Sequence, residues 1–156
     1  MVNRLLVVGA LALVSSANAA TEEPIAWDSE RVTALVESLH RGVHGLRDEI
    51  RSTSRTIGST QSQAHFRLLD NLRLIERETR YLHNLLESGA GRDETRPVYA
   101  RIGVLRRDCE EEMERLYLRS PALERIRRAR DLVREIDPYY GVDSNVGEHE
   151  RVLERH

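Results

Sequence analysis

The chain has one cysteine, Cys109. It has no lysine, and its lysine-plus-arginine total of 24 consists entirely of arginine. A single cysteine excludes a scaffold held by disulfides within the chain, and it excludes covalent haem attachment through a Cys-x-x-Cys-His motif. Aromatic residues are few as well, since one phenylalanine, one tryptophan and five tyrosines are a poor set for stacking bases or sugars. A folded core in this chain must therefore be built from aliphatic side chains.

Long apolar runs are also absent. The longest, residues 5–14, follows Arg4 and precedes an Ala-x-Ala signal at Ala17 and Ala19. This combination is typical of a secretory signal peptide, so we expect residues 1–19 to be removed before Ala20. Ten residues are too few to cross a bilayer, which needs about 20. We therefore expect the mature chain to lack an integral membrane segment and to be periplasmic or secreted.

Cleavage at that point would leave 137 residues with 23 arginines and 26 acidic residues, a formal net charge of −3. This balance argues against a nucleic-acid-binding protein, which needs a basic face. The length fits one domain that buries a core without disulfides or metals. We expect an N-terminal arm over residues 20–27, a helical domain over 28–136 and a polar tail over 137–156.

Apolar residues recur at steps of three and four in two series, which is the spacing of one helix face. The first series predicts a helix over residues 29–54, capped by Asp28 or Ser29. The second stops at a glycine-containing segment, residues 88–91, which is typical of a helix end. The first series is Val32, Val36, Leu39, Val43, Leu46 and Ile50, and the second is His65, Leu68, Leu72, Ile75, Thr79, Leu82 and Leu86.

Two further series predict a third and a fourth helix. Asp93 would cap the third helix, which places Pro97 in its first turn. Ser120 and Pro121 would begin the fourth, which we expect to end at Pro138. The third series is Val98, Ile102, Leu105, Cys109, Met113 and Leu116, and the fourth is Ala122, Ile126, Ala129, Val133 and Ile136.

The sequence predicts an all-α fold, because no alternation of β-branched residues indicates a strand. Each predicted helix is apolar on one stripe only and must bury that stripe against its neighbours. An antiparallel four-helix bundle with short connections satisfies this requirement. The same regular steps also suit a coiled coil, so long helical hairpins that dimerise are the alternative.

One cluster in the first predicted helix has the spacing of a metal site. Glu37, His40 and His44 lie at steps of three and four, and two imidazoles one turn apart can chelate Zn, Ni or Cu with a carboxylate as a third ligand. If the first two helices fold back around residue 57, opposite positions add to about 114, which places Asp70 opposite His44 as a fourth ligand. We favour the interpretation that the two histidines are solvent-exposed, with the metal site of Glu37, His40, His44 and Asp70 as the alternative.

Gly42 and Gly45 lie in the same stretch, although glycine inside a helix costs about 1 kcal/mol relative to alanine. We interpret them as a place where another helix packs closely, with a functional site as the alternative. Cys109 falls in an apolar stripe, which favours a buried small hydrophobe over a reactive thiol or an intermolecular disulfide. Haem held without covalent bonds by His65 and Met113 is a further alternative.

Two runs of charge lie in the second half of the domain, one acidic over residues 108–114 and one basic over residues 125–134. If the chain folds back around residue 120, these runs face each other. Glu110 would then lie opposite Arg130, and Glu112 opposite Arg128. We therefore interpret the charges as fixing the register of two helices, since exposed ion pairs contribute only about 0–1 kcal/mol each.

The sequence contains no Gly-x-Ser-x-Gly, no glycine-rich phosphate loop and no His-Glu-x-x-His. We expect an exported, non-enzymatic helical bundle that acts as a binding or accessory factor in the cell envelope. It would work without a cofactor, through a protein partner or self-association. The alternative is a metal-binding envelope sensor or buffer that uses the four residues named above.

Overall fold

The structure, a computed structural model, describes residues 25–53, 62–116, 118 and 120–142. Within these residues the chain forms four helices and no strand, which confirms the all-α prediction. The signal-peptide prediction falls outside the described residues, as do part of the arm and most of the tail. The helices are α1 (Ser29–Thr53), α2 (Ser62–Glu87), α3 (Arg92–Glu114) and α4 (Ser120–Tyr140).

The helices pack as a four-helix bundle in the order α3, α2, α1, α4. Helices α1 and α2 form the inner pair, α3 packs on α2, and α4 packs on α1. Most of the side chains in the four predicted stripes form one buried core, with Val32, Val36, Leu68 and Leu82 fully buried. The outer helices α3 and α4 make few contacts with each other. No helix among the described residues combines the length and the apolarity that a membrane crossing requires.

Local signals set two of the helix ends as predicted. The Asp28 carboxylate accepts a hydrogen bond from the Arg31 backbone N–H at 2.9 Å, so Asp28 is the N-cap of α1. Helix α2 ends at Glu87, and Gly89 two residues later has a φ of 91°, which suits a residue without a side chain. There Gly89 N–H donates to Leu86 and Ala90 N–H donates to Leu85, each at 3.0 Å, which satisfies two terminal carbonyls.

Helix α3 begins one residue before the predicted cap, with Gly91 as its N-cap. The Glu94 carboxylate accepts a hydrogen bond from Gly91 N–H at 2.8 Å, and the Thr95 hydroxyl donates to the Gly91 carbonyl at 2.8 Å. These contacts stabilise the first turn of α3 without a cap from Asp93. Pro97 consequently lies two residues further into the helix than the sequence predicts.

Helix α4 passes the predicted stop at Pro138 and ends at Tyr140. Gly141, with a φ of 65°, closes the helix by donating to the Pro138 carbonyl at 3.3 Å, and Val142 donates to Asp137 at 3.0 Å. Tyr140 is only 1% exposed, and its burial favours continuing the helix for two residues after the proline. Residues 137–140, predicted as the beginning of the tail, are therefore part of α4.

An aromatic cluster closes the bundle at the start of α3. The Tyr99 and Tyr140 rings stack with centroids 4.3 Å apart, and Trp27 meets Tyr140 edge-on at 5.5 Å. The Tyr140 hydroxyl donates to Thr95 at 3.0 Å, while Tyr99 donates to Asp137 at 2.6 Å. This cluster joins α3 to α4 at one end of their shared seam.

The two helical glycines of α1 differ in their surroundings. A Cβ atom on Gly45 would lie 2.7 Å from the Arg125 guanidinium of α4, which agrees with close packing. A Cβ on Gly42 would meet nothing within 4 Å, so no described contact explains that glycine.

We predict that Gly42→Ala stabilises the protein by about 1 kcal/mol, because alanine restricts the unfolded chain and enters open space. Gly45→Ala is the matched control and should gain less, since Arg125 must move aside. Urea unfolding of both variants measures the difference. A destabilised Gly42→Ala would contradict the open space that the structure shows there.

Candidate functional site

The first candidate site lies where α1 faces α2, and we call it the histidine seam (His40, His44, Arg47, Glu76 and Thr79). His44 Nδ1 lies 2.9 Å from a Glu76 carboxylate oxygen, and Arg47 donates to the other oxygen. His40 Nδ1 lies 3.3 Å from the Thr79 hydroxyl, which itself donates to the backbone of α2. The seam is therefore a row of side-chain hydrogen bonds between the inner helices.

The structure does not bring the four predicted metal ligands together. Glu37 is exposed and lies 3.9 Å from Arg41, while Asp70 pairs with Arg73 at 3.1 Å. His44 Nε2 lies 3.4 Å from Asp48, so each ring nitrogen of His44 faces a carboxylate. Among the described parts of the chain, no group of three or more His, Cys, Asp or Glu residues is arranged to hold a metal ion.

The residue opposite His44 is Glu76, six positions beyond the predicted Asp70. Side chains lean toward the N-terminus of their own helix by about one position, so in an antiparallel pair this lean accounts for about two of the six positions. The rest of the difference comes from the assumed fold-back at residue 57. Near the connection between α1 and α2 the predicted pairing is closer to the observed one. Positions that add to 114 place Glu49 opposite His65, and His65 Nε2 lies 3.3 Å from the carbonyl of the next residue, Ile50.

The charge of Glu76 is stabilised within the histidine seam. Burial raises the pKa of its carboxyl, but the hydrogen bonds and charges of His44 and Arg47 outweigh this effect, so the net pKa lies below 4.5. The ionised carboxylate therefore stabilises the fold above that unfolded-state pKa. The stabilisation is lost as the pH falls through the lower pKa of the folded state.

We predict that Glu76→Gln lowers the free energy of unfolding by about 1–3 kcal/mol near neutral pH, because it removes a charged acceptor from two donors. The difference from the parent protein should shrink as the pH falls through the lowered pKa of the folded state, because the parent carboxylate is then protonated too. Glu37→Gln, at an exposed position, is the control and should change stability by less than about 0.5 kcal/mol. A pH-independent loss in Glu76→Gln would contradict the ionic role.

The metal hypothesis stays a prediction that a titration can test. Because both nitrogens of His44 already face carboxylates, we expect zinc or nickel to bind the mature protein no more tightly than a His40→Ala/His44→Ala double variant. Isothermal titration calorimetry compares the two proteins. Tight binding that disappears in the double variant would establish the metal site and overturn this expectation.

The second candidate site is an apolar cavity of about 60 Å³ between the outer helices, and we call it the α3–α4 cleft. All four helices contribute to its wall, and the exposed part of the wall is apolar. It lies where α3 and α4 make few contacts with each other. Its lining residues are Leu39, Val43, Leu46, Leu72, Ile75, Ile102, Arg106, Cys109, Glu110, Met113, Ile126, Ala129, Arg130 and Val133.

Charged side chains mark the mouth of the cleft. Arg130 donates to the Glu110 carboxylate across the two helices at 3.2 Å, which confirms the predicted pair. Glu112 does not face Arg128 as predicted. It is buried on the side of α3 next to α2, where Arg67 and Arg115 lie 3.4 and 3.0 Å from its carboxylate. The two outer helices are thus joined by one ion pair and, further along, by the aromatic cluster.

Cys109 lines the cleft and is only 3% exposed, which confirms the prediction of a buried small side chain. Burial, together with the nearby charges of Asp108, Glu110 and Glu112, raises the pKa of its thiol to about 12. A thiol with this pKa is a poor nucleophile and a poor metal ligand at neutral pH. Of the two residues predicted to hold haem, Met113 lines this small cavity and His65 does not.

Sequence reasoning did not predict the cleft, although one signal for it exists. Tyr99, Gly103, Arg106 and Glu110 recur at steps of four, three and four, so they form one row on the side of α3 toward α4. A Cβ atom on Gly103 would meet nothing within 4 Å. This row contains a glycine and two charged residues, so it fills the interface between α3 and α4 less completely than the apolar stripes fill theirs. The interface between α3 and α4 therefore stays open.

Comparisons of the chain with protein-family models, curated proteins and solved structures gave no match. The geometry of these two sites is therefore the basis for inferring a function.

We predict that iodoacetamide labels native Cys109 at least about 1,000-fold more slowly than the unfolded chain, because the raised pKa and the burial both disfavour the thiolate. A Ser88→Cys variant in a Cys109→Ser background provides an exposed thiol as the control. Mass spectrometry follows both reactions. Native Cys109 that reacts as fast as the control would contradict its burial.

Proposed function

We propose that the chain is an exported, non-enzymatic binding protein of the cell envelope, and that it binds an apolar group in the α3–α4 cleft. The observation that carries this proposal is an apolar cavity that reaches the core and lies where two helices of the bundle diverge. Ligand sites in helical bundles are built from side chains on facing helices in this way. The histidine seam, whose polar groups are paired across α1 and α2, serves to hold the inner helices in register.

The chemistry of the cleft supports binding over catalysis. Its one nucleophilic side chain, Cys109, has a pKa raised to about 12, far from the neutral range in which a catalytic thiol works. The apolar wall offers shape and burial to a ligand. Export is supported by the sequence of residues 1–19, which combines Arg4, a short apolar run and an Ala-x-Ala signal.

Xenon tests the binding part of the proposal, because it enters apolar cavities without forming polar contacts. We predict that xenon shifts the methyl NMR signals of Leu39, Val43 and Ile126, which line the cleft. Ala129→Leu should abolish these shifts by filling the cavity. Ala34→Leu, an equal change on the exposed side of α1, should preserve them. Xenon shifts that are absent, or that survive the filling substitution, would contradict binding in the cleft.

Export is tested on the full chain with a C-terminal tag, expressed in a bacterial host. The intact mass of the exported protein should correspond to a chain that begins at Ala20. Ala19→Arg should block this cleavage, because a small residue is needed there. A full-length protein retained in the cytoplasm would contradict the envelope location.

A further inference from the structure

A short segment before α1 reaches across the two outer helices, and we call it the N-terminal strap (residues 25–27). The Ile25 backbone N–H donates to the Pro138 carbonyl near the end of α4 at 3.2 Å. The Ile25 carbonyl accepts a hydrogen bond from the Arg92 guanidinium at the start of α3. One residue of the strap is therefore bonded to both outer helices.

Trp27 gives the strap a second attachment to the same two helices. Its ring meets the rings of Tyr139 and Tyr140 edge-on, with centroid separations of 6.5 and 5.5 Å. The Arg92 guanidinium lies 5.6 Å from the centroid of the Trp27 ring, a distance at which a cation is attracted to an aromatic face. The contacts of Ile25 and Trp27 thus tie the beginning of α3 to the end of α4.

A row of packed rings connects the strap with the wall of the α3–α4 cleft. Trp27 contacts Tyr140, and Tyr140 stacks on Tyr99 with centroids 4.3 Å apart. The Tyr99 hydroxyl lies 3.4 Å from the backbone carbonyl of Val133, a residue that lines the cleft. Loss of the strap therefore removes one side of the packing that holds α3 against α4 beside the cavity.

The cleft is narrow, so a ligand larger than a few atoms enters only if the outer helices move apart. Its volume is about 60 Å³, and Cys109 in its wall is only 3% exposed. Because α3 and α4 share few direct contacts, separating them disrupts less packing than separating either helix from the inner pair. The strap is easily released in comparison with a helix, since it is short and Ile25 is 46% exposed.

We infer that the N-terminal strap controls the opening of the α3–α4 cleft. With the strap docked, α3 and α4 are held together at the aromatic end of their seam. When the strap detaches, the two helices separate and admit a ligand, while α1 and α2 stay packed. This inference rests on the proposed function, because it concerns entry to the same cleft, but the opening itself is measured without a ligand.

Cys109 reports this opening, because its thiol lines the cleft and is shielded while α3 and α4 are together. The test measures the rate at which iodoacetamide labels Cys109 in the native mature protein, and urea unfolding gives the global stability of each variant. Trp27→Ala should accelerate labelling by about tenfold, because the strap loses its ring contacts and its cation.

Ile50→Val is the matched control, since it weakens the core at the end of the bundle away from the strap. The open state keeps the inner pair packed and is weakened by this substitution as much as the closed state. Ile50→Val should therefore lower the global stability and leave the labelling rate unchanged. If Cys109 were exposed only by complete unfolding, labelling would instead accelerate in both variants as their stability falls.

A second pair of variants tests the strap without removing the Trp27 ring. Arg92→Gln removes both the cation beside that ring and the donor to Ile25, so it should accelerate labelling as well. This variant also replaces Trp27→Ala if that protein does not fold. Arg96→Gln removes an exposed arginine of the same helix, whose side chain lies near Asp93, and should leave the labelling rate unchanged.

The possible outcomes distinguish this inference from the proposed function. Labelling rates that do not change in Trp27→Ala and Arg92→Gln would overturn the role of the strap, while xenon shifts would still support binding in the cleft. Faster labelling in Ile50→Val, in proportion to its lost stability, would also overturn that role. Absent xenon shifts together with faster labelling in Trp27→Ala alone would contradict the proposed function and support the strap as a clamp on the outer helices.

Discussion

The packing of α1 against α2 is the interaction on which the rest of the structure depends. Helix α3 packs on α2 and α4 packs on α1, so the contact of α1 with α2 connects the two halves of the bundle. The inner pair buries apolar residues such as Val36, Leu68 and Leu82 almost completely. None of these helices has a second apolar stripe, so each is stable only where its one stripe meets the others.

This arrangement also explains the cleft. The apolar stripe of each outer helix is directed at the inner pair, which leaves polar residues and a glycine along the seam between α3 and α4. The seam is closed by stacked tyrosines at one end and by the ion pair of Glu110 and Arg130 further along. Between these contacts an apolar cavity reaches the core, and it results from the incomplete contact of two helices.

Sequence reasoning succeeded where the cause of structure is local. The stripe spacing predicted the core faces, Asp28 was among the two predicted caps of α1, and the segment around Gly89 was predicted as the stop of α2. Reasoning failed where distant residues decide. Tyr140 extends α4 past Pro138 because it is buried against Tyr99, which lies about 40 residues earlier in the chain.

The candidate sites show the same division. His40 and His44 were identified by their spacing, but Glu76 was missed because the count assumed a fold-back at residue 57 and left out the lean of the side chains, which accounts for about two of the six positions. The cleft was missed because only the apolar stripes were followed, and the row of Gly103, Arg106 and Glu110 on α3 was not. The facing charge runs predicted the pair of Glu110 and Arg130 correctly, but they also placed Glu112 opposite Arg128, which was wrong because Glu112 lies on the side of α3 next to α2.

The most direct measurement of the central claim is a methyl NOE experiment on the mature protein with labelled isoleucine, leucine and valine. The account predicts NOEs between α1 and α2, between α2 and α3 and between α1 and α4, with few between α3 and α4. Dense NOEs between α3 and α4, or their absence between α1 and α4, would contradict both the helix order and the open cleft.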